Sequence, residues 1–248
     1  MESLLQIKDL EGGYTHKNVL HGLSFDIYPN EIVGIIGLNG AGKSTTIKHV
    51  IGLMQPKNGS VSINGTSFQD DPENYRKQFS YIPEMPVLYD ELTLEEHLRL
   101  TAMAYDLSEE TYQKRVTPLL KEFRLEKKLK WFPIHFSKGM RQKVMIMCAF
   151  LVEPSLYIVD EPFVGLDPLG IQSYLDWMNE MKSQGAGVLM STHILATAER
   201  YCDRFIILHD GYIRAQGTLS ELQQSFKRPE ATLDDLYIQL TKEADDNV

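Results

Sequence analysis

An α/β fold, with a largely parallel sheet covered by helices on both faces, is predicted by three observations. Ile32-Val33-Gly34-Ile35-Ile36 is a continuous apolar run without alternation, the pattern of a strand buried on both faces. Strand and helix patterns alternate from Leu156 to Leu208, and a β-α-β succession builds a parallel sheet with ligands at the carboxyl ends of its strands. The 248 residues are 43% apolar and 24% charged, the balance of a globular chain with a core.

The elements follow in order. Leu4 to Leu10, Leu23 to Tyr28, Ile32 to Ile36, Val61 to Ile63 and Phe79 to Ile82 read as strands, separated by Gly, Pro and Asn turns. Ser44 to Ile51 reads as a helix. From about residue 90 the period becomes helical, with Leu94, Leu98, Thr101, Ala102 and Tyr105 on one face behind the capping box Thr93-Leu94-Glu95-Glu96. A second helix is expected over Glu109 to Phe123, with Pro118 kinking or breaking it, and a third over Lys138 to Leu151, stopped by Pro154. Leu156 to Val159, Pro168 to Lys182, Gly187 to Ser191, Ile194 to Tyr201 and Phe205 to Leu208 then alternate strand and helix. Residues 1–225 are expected to form one domain, with the helical block of about 85–152 inserted into the sheet, and residues 226–248 a C-terminal helix and acidic tail.

Composition excludes several functions. With 25 Lys and Arg against 34 Asp and Glu, the net charge of −9 opposes nucleic-acid binding, which draws its affinity from clustered cations. Cys148 and Cys202, far apart in sequence, suggest neither a disulfide framework nor a zinc site, and the expected compartment is the reducing cytosol. The apolar run Val144 to Val152 falls well short of the roughly 18 residues that span a bilayer. Met-Glu-Ser-Leu-Leu-Gln has no basic region ahead of an apolar stretch, so no targeting segment is expected.

Two motifs carry chemistry. Gly37-Leu38-Asn39-Gly40-Ala41-Gly42-Lys43-Ser44 matches the phosphate-binding pattern G-x-x-x-x-G-K-[ST], after a buried strand and before a helix. Its glycines let successive N–H groups turn towards phosphate oxygens, Lys43 neutralises their charge, and the Ser44 hydroxyl is a Mg²⁺ ligand. Leu156-Tyr157-Ile158-Val159-Asp160-Glu161 is a buried strand ending in two carboxylates. Asp160 is placed for Mg²⁺ and Glu161 to polarise an attacking water, which points to an ATP hydrolase.

With these motifs the chain resembles the ATPase subunits of ABC transporters over nearly its full length. That resemblance implies a P-loop NTPase fold with a parallel or mixed core sheet, an N-terminal antiparallel β region and an inserted helical subdomain. Phe136-Ser137-Lys138-Gly139-Met140-Arg141-Gln142 looks like the family's signature segment at a helix start, where Ser137 and Gly139 would meet a γ-phosphate. It departs from Leu-Ser-Gly-Gly-Gln at Lys138 and Met140. Gly165-Leu166-Asp167-Pro168 looks like the loop through which two cassettes communicate, and His193, in Ser191-Thr192-His193, like the switch histidine. Tyr14 looks like the aromatic that stacks on adenine. Glu84, in Tyr81-Ile82-Pro83-Glu84, stands where the family usually has Gln; its oxygen implies metal binding and coupling to a membrane subunit.

The resemblance further implies a nucleotide held between residues 37–45, Thr45 included, of one cassette and 137–140 of another. One copy of each motif per chain makes a homodimer, or pairing with a similar cassette, the default. ATP and Mg²⁺ are the implied cofactors. The implied partner is a separate transmembrane permease subunit, which would hold the chain at the inner face of the cell membrane. The stretches 79–84, 88–89, 130–132 and 136–140 are similar to those of the Ecs-type ATPase subunits of Gram-positive bacteria, associated with export. The competing reading is a switch ATPase acting on ribosomes or DNA, whose members join two cassettes in one chain or carry a coiled-coil or zinc insertion, features this sequence lacks. A phosphate-loop kinase would leave residues 137–142 and His193 without a purpose.

Overall fold

The computed structural model describes residues 2–14 and 17–245. The chain opens with β1 (Leu5–Gly12), β2 (Leu20–Ile27), β3 (Ile32–Ile36), α1 (Lys43–Val50), β4 (Asn58–Ile63) and β5 (Thr66–Ser67). It continues with α2 (Pro72–Lys77), β6 (Phe79–Ile82), α3 (Leu94–Ala104), α4 (Glu109–Glu122) and α5 (Lys138–Val152). The remainder comprises β7 (Leu156–Asp160), α6 (Pro168–Ser183), β8 (Gly187–Thr192) and α7 (Leu195–Tyr201), then β9 (Arg204–His209), β10 (Tyr212–Gly217), α8 (Leu219–Ser225) and α9 (Leu233–Asp245).

β2-β1-β4-β5 form an antiparallel sheet, and β10-β9-β3-β8-β7-β6 form the second, in which only β10 pairs antiparallel. All residues of β3, β7 and β8 are buried. Successive residues of a strand face opposite ways, and the core follows that rule. Tyr157, Val159, Val188 and Met190 enter a cluster with α5 and α6, while Leu156, Ile158 and Leu189 enter one shared with α1 and the antiparallel sheet. This burial on both faces explains the unbroken apolar runs of the sequence. A third cluster gathers Ile36, Phe205 and Ile207 under α9 through Leu233, Leu236, Tyr237 and Leu240.

Phe150 anchors α5 to the sheet, its ring centroid 5.5 Å from that of Tyr157 on β7 and 5.8 Å from that of Tyr174 on α6. The expected capping box at Thr93 is present, with the Glu96 N–H donating to the Thr93 hydroxyl and the Thr93 N–H donating to the Glu96 carboxylate. Pro118 does not break its helix, because α4 runs unbroken from Glu109 to Glu122 with Pro118 on its exposed face. On that face the carbonyl that loses its helical partner can turn to water. Among the described residues β5, α2, β10 and α8 go beyond the expected set, as do two short 3-10 turns, Glu126–Lys128 and Pro133–His135. The C-terminal helix starts later than expected, at Leu233, where the Thr232 hydroxyl accepts the N–H of Asp235. Of the expected acidic tail, residues 246–248 lie outside the described residues.

Candidate nucleotide site

The parallel register brings the carboxyl ends of β3, β7 and β8 to one edge of the sheet, with Ile36 opposite Thr192 and Asp160 opposite Ser191. Gly37, Asp160, Glu161 and His193 therefore stand at or just beyond neighbouring strand ends.

Residues 37–42 form the loop from β3 into α1, with Gly40 and Gly42 at φ of +88° and +110°. L side chains are strained there. At Gly37 the requirement is close approach, since a Cβ would lie 2.6 Å from the Leu208 carbonyl oxygen. Asn39, Gly40 and Ser44 are exposed, whereas Ala41, Lys43 and Thr45 are buried. The Lys43 amine donates to the Gly37 carbonyl at 2.7 Å and to that of Leu38 at 3.4 Å. Burial lowers its pKa, opposed in decreasing order by the negative charges of Glu161, Asp160 and Glu84. One buried cation is thus faced by three carboxylates at the mouth of a glycine loop.

Asp160 and Glu161 are held differently. Ser191 Oγ donates a short hydrogen bond to Asp160 Oδ1, across the β7–β8 pair. Glu161 has left-handed backbone, φ +49°, costly for a non-glycine residue, and its N–H donates to the Ser191 carbonyl at 3.1 Å. This turn directs its side chain to β8, where Thr192 Oγ1 donates to Oε2 at 3.2 Å and His193 Nδ1 lies 2.7 Å from Oε1. Glu161 is buried, while the His193 ring remains half exposed. A carboxylate fixed by two neighbours beside a solvent-facing imidazole can accept a proton from water and pass on a conformational signal.

Glu84 follows β6, which pairs with β7. It is exposed, and its charge reaches Lys43 and also Tyr81, whose phenol burial, with Asp160 and Glu84 adding, pushes up to about 12. Among the described residues no three His, Cys, Asp or Glu side chains cluster closely enough to hold a metal alone. Mg²⁺ bound with a nucleotide does not need such a cage, taking one or two carboxylates, phosphate oxygens and waters. The Ser44 hydroxyl, Asp160 and Glu84 fit that donor set. Tyr14 is 61% exposed and its hydroxyl accepts from Lys48 Nζ on α1 at 2.9 Å. Hydrogen bonds from Lys48 and Thr45 lower the pKa of this phenol, and the Lys48 ammonium lies over its ring, 4.8 Å from the centroid.

Ser137 and Gly139 belong to a second group. Ser137 caps α5, accepting the Met140 N–H at 3.3 Å. A Cβ on Gly139 would lie 2.7 Å from the carbonyl oxygen of Gly165, which itself has φ +86°. Asp167 caps α6 through the Gly170 N–H at 2.7 Å, and Lys143 of α5 lies 3.3 Å from its carboxylate. The Gly170 bond, with help from Lys143, holds the Asp167 carboxyl below the usual carboxylate range. Gln142, fully buried, donates from Nε2 to the Pro83 carbonyl at 3.3 Å and so ties α5 to the Glu84 turn. Among the described residues the hydrogen bonds of Ser137 stay within α5, and the start of the helix packs on the Gly165–Asp167 turn through Gly139 and Lys143. Sequence reasoning missed the contacts of Ser191 and Thr192, whose signal is a pair of hydroxyls ending an otherwise apolar strand.

A glycine phosphate loop after β3, a carboxylate pair at the end of β7 and a capped signature helix define a nucleotide-hydrolysing cassette, and the known relatives agree. Residues 20–164 match the family model described as ABC transporter. The chain is 70% identical over 241 residues to the ABC-type transporter ATP-binding protein EcsA of Bacillus subtilis, covering 97% of this chain and 98% of the relative. It is 36% identical over 208 residues to the SkfA peptide export ATP-binding protein SkfE of the same organism, covering 84% and 86%. A solved ATP-binding subunit of an ABC transporter superposes with a TM-score of 0.95 at 64% identity, covering 96% of this chain and all of the other. The chain belongs to the ABC transporter family as an ATP-binding subunit, an ATPase.

The packing at Gly139 yields a prediction. Gly139→Ala should cost about 1–3 kcal/mol by overpacking, because a backbone carbonyl cannot swing away as a side-chain end can. The check is a urea unfolding midpoint; an unchanged or higher midpoint would show that α5 and the 165–167 turn are not in contact.

Proposed function

We propose that this cassette hydrolyses ATP between two copies of itself or beside a similar cassette, and so powers a separate transmembrane subunit that exports its substrate. The observation that carries the reading is the grouping of site residues into two sets. Lys43, Asp160, Glu161 and Glu84 surround one mouth, while Ser137 and Gly139 lie on a helix docked elsewhere in the same chain. A second chain's residues 137–140 complete the site, with Ser137 and Gly139 meeting the γ-phosphate at a helix start. In this reading Tyr14 stacks on adenine and the amides of residues 37–45, those of Gly37, Asn39, Gly40, Ala41 and Gly42 among them, line the phosphates. Lys43 neutralises phosphate charge, Glu161 takes the proton of the lytic water, and His193 reports the γ-phosphate through its contact with Glu161. Mg²⁺, when bound through Ser44, Asp160 and Glu84, supplies charge neutralisation at the transferred phosphoryl group. Asp167 joins the signature helix to the loop after Glu161.

Docking to a membrane subunit is supported by an exposed apolar face. Met85, Val87 and Tyr89, after the Glu84 turn, and Trp131, Phe132 and Ile134, before the signature helix, are all exposed. Both segments are pinned to the start of α3: the Tyr89 N–H donates to His97 Nε2 at 3.0 Å, and the Trp131 carbonyl accepts the Leu94 N–H at 3.0 Å. Grouped apolar exposure of this kind marks an interaction surface. Among the described residues no helix is long and apolar enough to cross a membrane, so the pore belongs to another chain in this reading. That chain would hold the cassette at the cytoplasmic face. Export is favoured by likeness to SkfE, whose name assigns it peptide export.

Two variants test the chemistry. Lys43→Ala should abolish binding of a fluorescent ATP analogue, whereas Glu161→Gln should keep binding and lose about 10²–10⁴-fold in turnover. Normal turnover in Glu161→Gln would remove its assigned role. Co-expression with the transmembrane subunit it serves should move the chain into the membrane fraction. Failure to co-purify with any membrane protein would contradict the transport reading.

A further inference from the structure

We propose that Tyr237 is a positioning residue for ATP binding, locking the Gly37–Leu38 peptide that holds Lys43; this rests on residues 37–45 being the phosphate site. Tyr237 lies on α9, far from that loop in sequence, and its ring is 4% exposed in the cluster containing Ile36, Leu236 and Leu240. Its hydroxyl oxygen accepts the Leu38 N–H at 3.0 Å. The carbonyl of the same peptide unit, that of Gly37, accepts from Lys43 Nζ at 2.7 Å. A peptide unit is planar, so the tyrosine that fixes its N–H also fixes the direction of the carbonyl that Lys43 uses. The next carbonyl, of Leu38, accepts from the Ala41 N–H at 3.1 Å and from Lys43 at 3.4 Å, closing the turn.

The support behind Tyr237 is itself fixed. The first N–H of α9, from Leu233, donates to Glu199 Oε2 at 2.6 Å, and Glu199 lies on α7, which starts just after His193. The C-terminal helix thus joins the loop that bears Lys43 to the helix that follows His193. Burial raises the pKa of the Tyr237 phenol, so the neutral hydroxyl persists as an acceptor at all working pH values. Without that oxygen the Gly37–Leu38 peptide is free to rotate, Lys43 loses its preset direction, and the fraction of loops competent for phosphate falls. Apparent affinity falls by the same fraction.

The test is Tyr237→Phe in the full chain, which removes one oxygen and keeps the ring packing. Loss of one backbone hydrogen bond should raise the KM for ATP and the Kd of an ATP analogue about fivefold, with kcat changed by less than about twofold. The unfolding midpoint without nucleotide should fall by no more than the single lost bond explains, about the 1 kcal/mol that a fivefold change represents. An unchanged KM overturns the inference, as does a KM rise matched by an equal fall in kcat and a destabilisation well beyond that one bond, the signature of general loosening. Hydrogen exchange of the wild-type Leu38 amide gives a second measurement that no folding defect can confuse: slow exchange is expected, and exchange at the free-peptide rate overturns the proposal. If Lys43→Ala still binds ATP, the phosphate-site reading itself fails. If Lys43→Ala abolishes binding and Tyr237→Phe changes nothing, only the role of Tyr237 fails.

Discussion

The hydrogen bond from Ser191 Oγ to Asp160 is the point on which the site's arrangement turns. It joins the last residue of β7 to the last but one of β8, across a parallel pair whose register places Asp160 directly opposite Ser191. That register leaves Glu161 beside Thr192 and His193, and β3, paired to the other side of β8, delivers Gly37 to the same edge. A one-residue slip would turn every side chain of β8 to the opposite face. It would send Ser191 into the apolar layer and Met190 towards the carboxylates. Burial of all three strands on both faces makes such a slip expensive, so the core protects the chemistry.

Around that edge, charge is arranged at a cost. Burial lowers the pKa of Lys43, and the charges of three nearby carboxylates oppose that shift. Those carboxylates repel one another, and a divalent cation with a polyphosphate is the kind of ligand that would balance the set. Glu84 adds a negative charge where the family usually has a neutral amide. It lies at the exposed end of the edge, where water screens the added charge, while buried Asp160 and Glu161 rely on hydroxyl donors.

Much of this was legible in the sequence because the decisive features are local. The apolar run Ile32 to Ile36 followed by the glycine loop, and the run ending in Asp160-Glu161, each specify strand, turn and chemistry within a few residues. The capping box at Thr93 is equally local, and the structure shows it intact. What escaped depends on partners distant in the chain. β10 alternates exposed and partly buried residues on an edge, so it lacks the apolar run that betrays the central strands. Pro118 reads as a breaker only if its unpaired carbonyl is buried, and the sequence alone does not assign the face with certainty. Tyr237 gives no sequence signal, since its partner at Leu38 is 199 residues away. The resemblance to the family supplied the signature segment, but its docking on Gly165 and its tie to Pro83 through Gln142 emerged only in three dimensions.

In the proposed function no single chain contains a complete site, and mixing two inactive variants decides the matter: Lys43→Ala, with a damaged loop and an intact signature helix, and Ser137→Ala, with the reverse. In a mixed pair one site joins the intact loop of one chain to the intact Ser137 of the other, so ATP turnover should reappear on mixing. Turnover no greater than the sum of the separate variants would contradict the account, and would place the whole reaction within one chain.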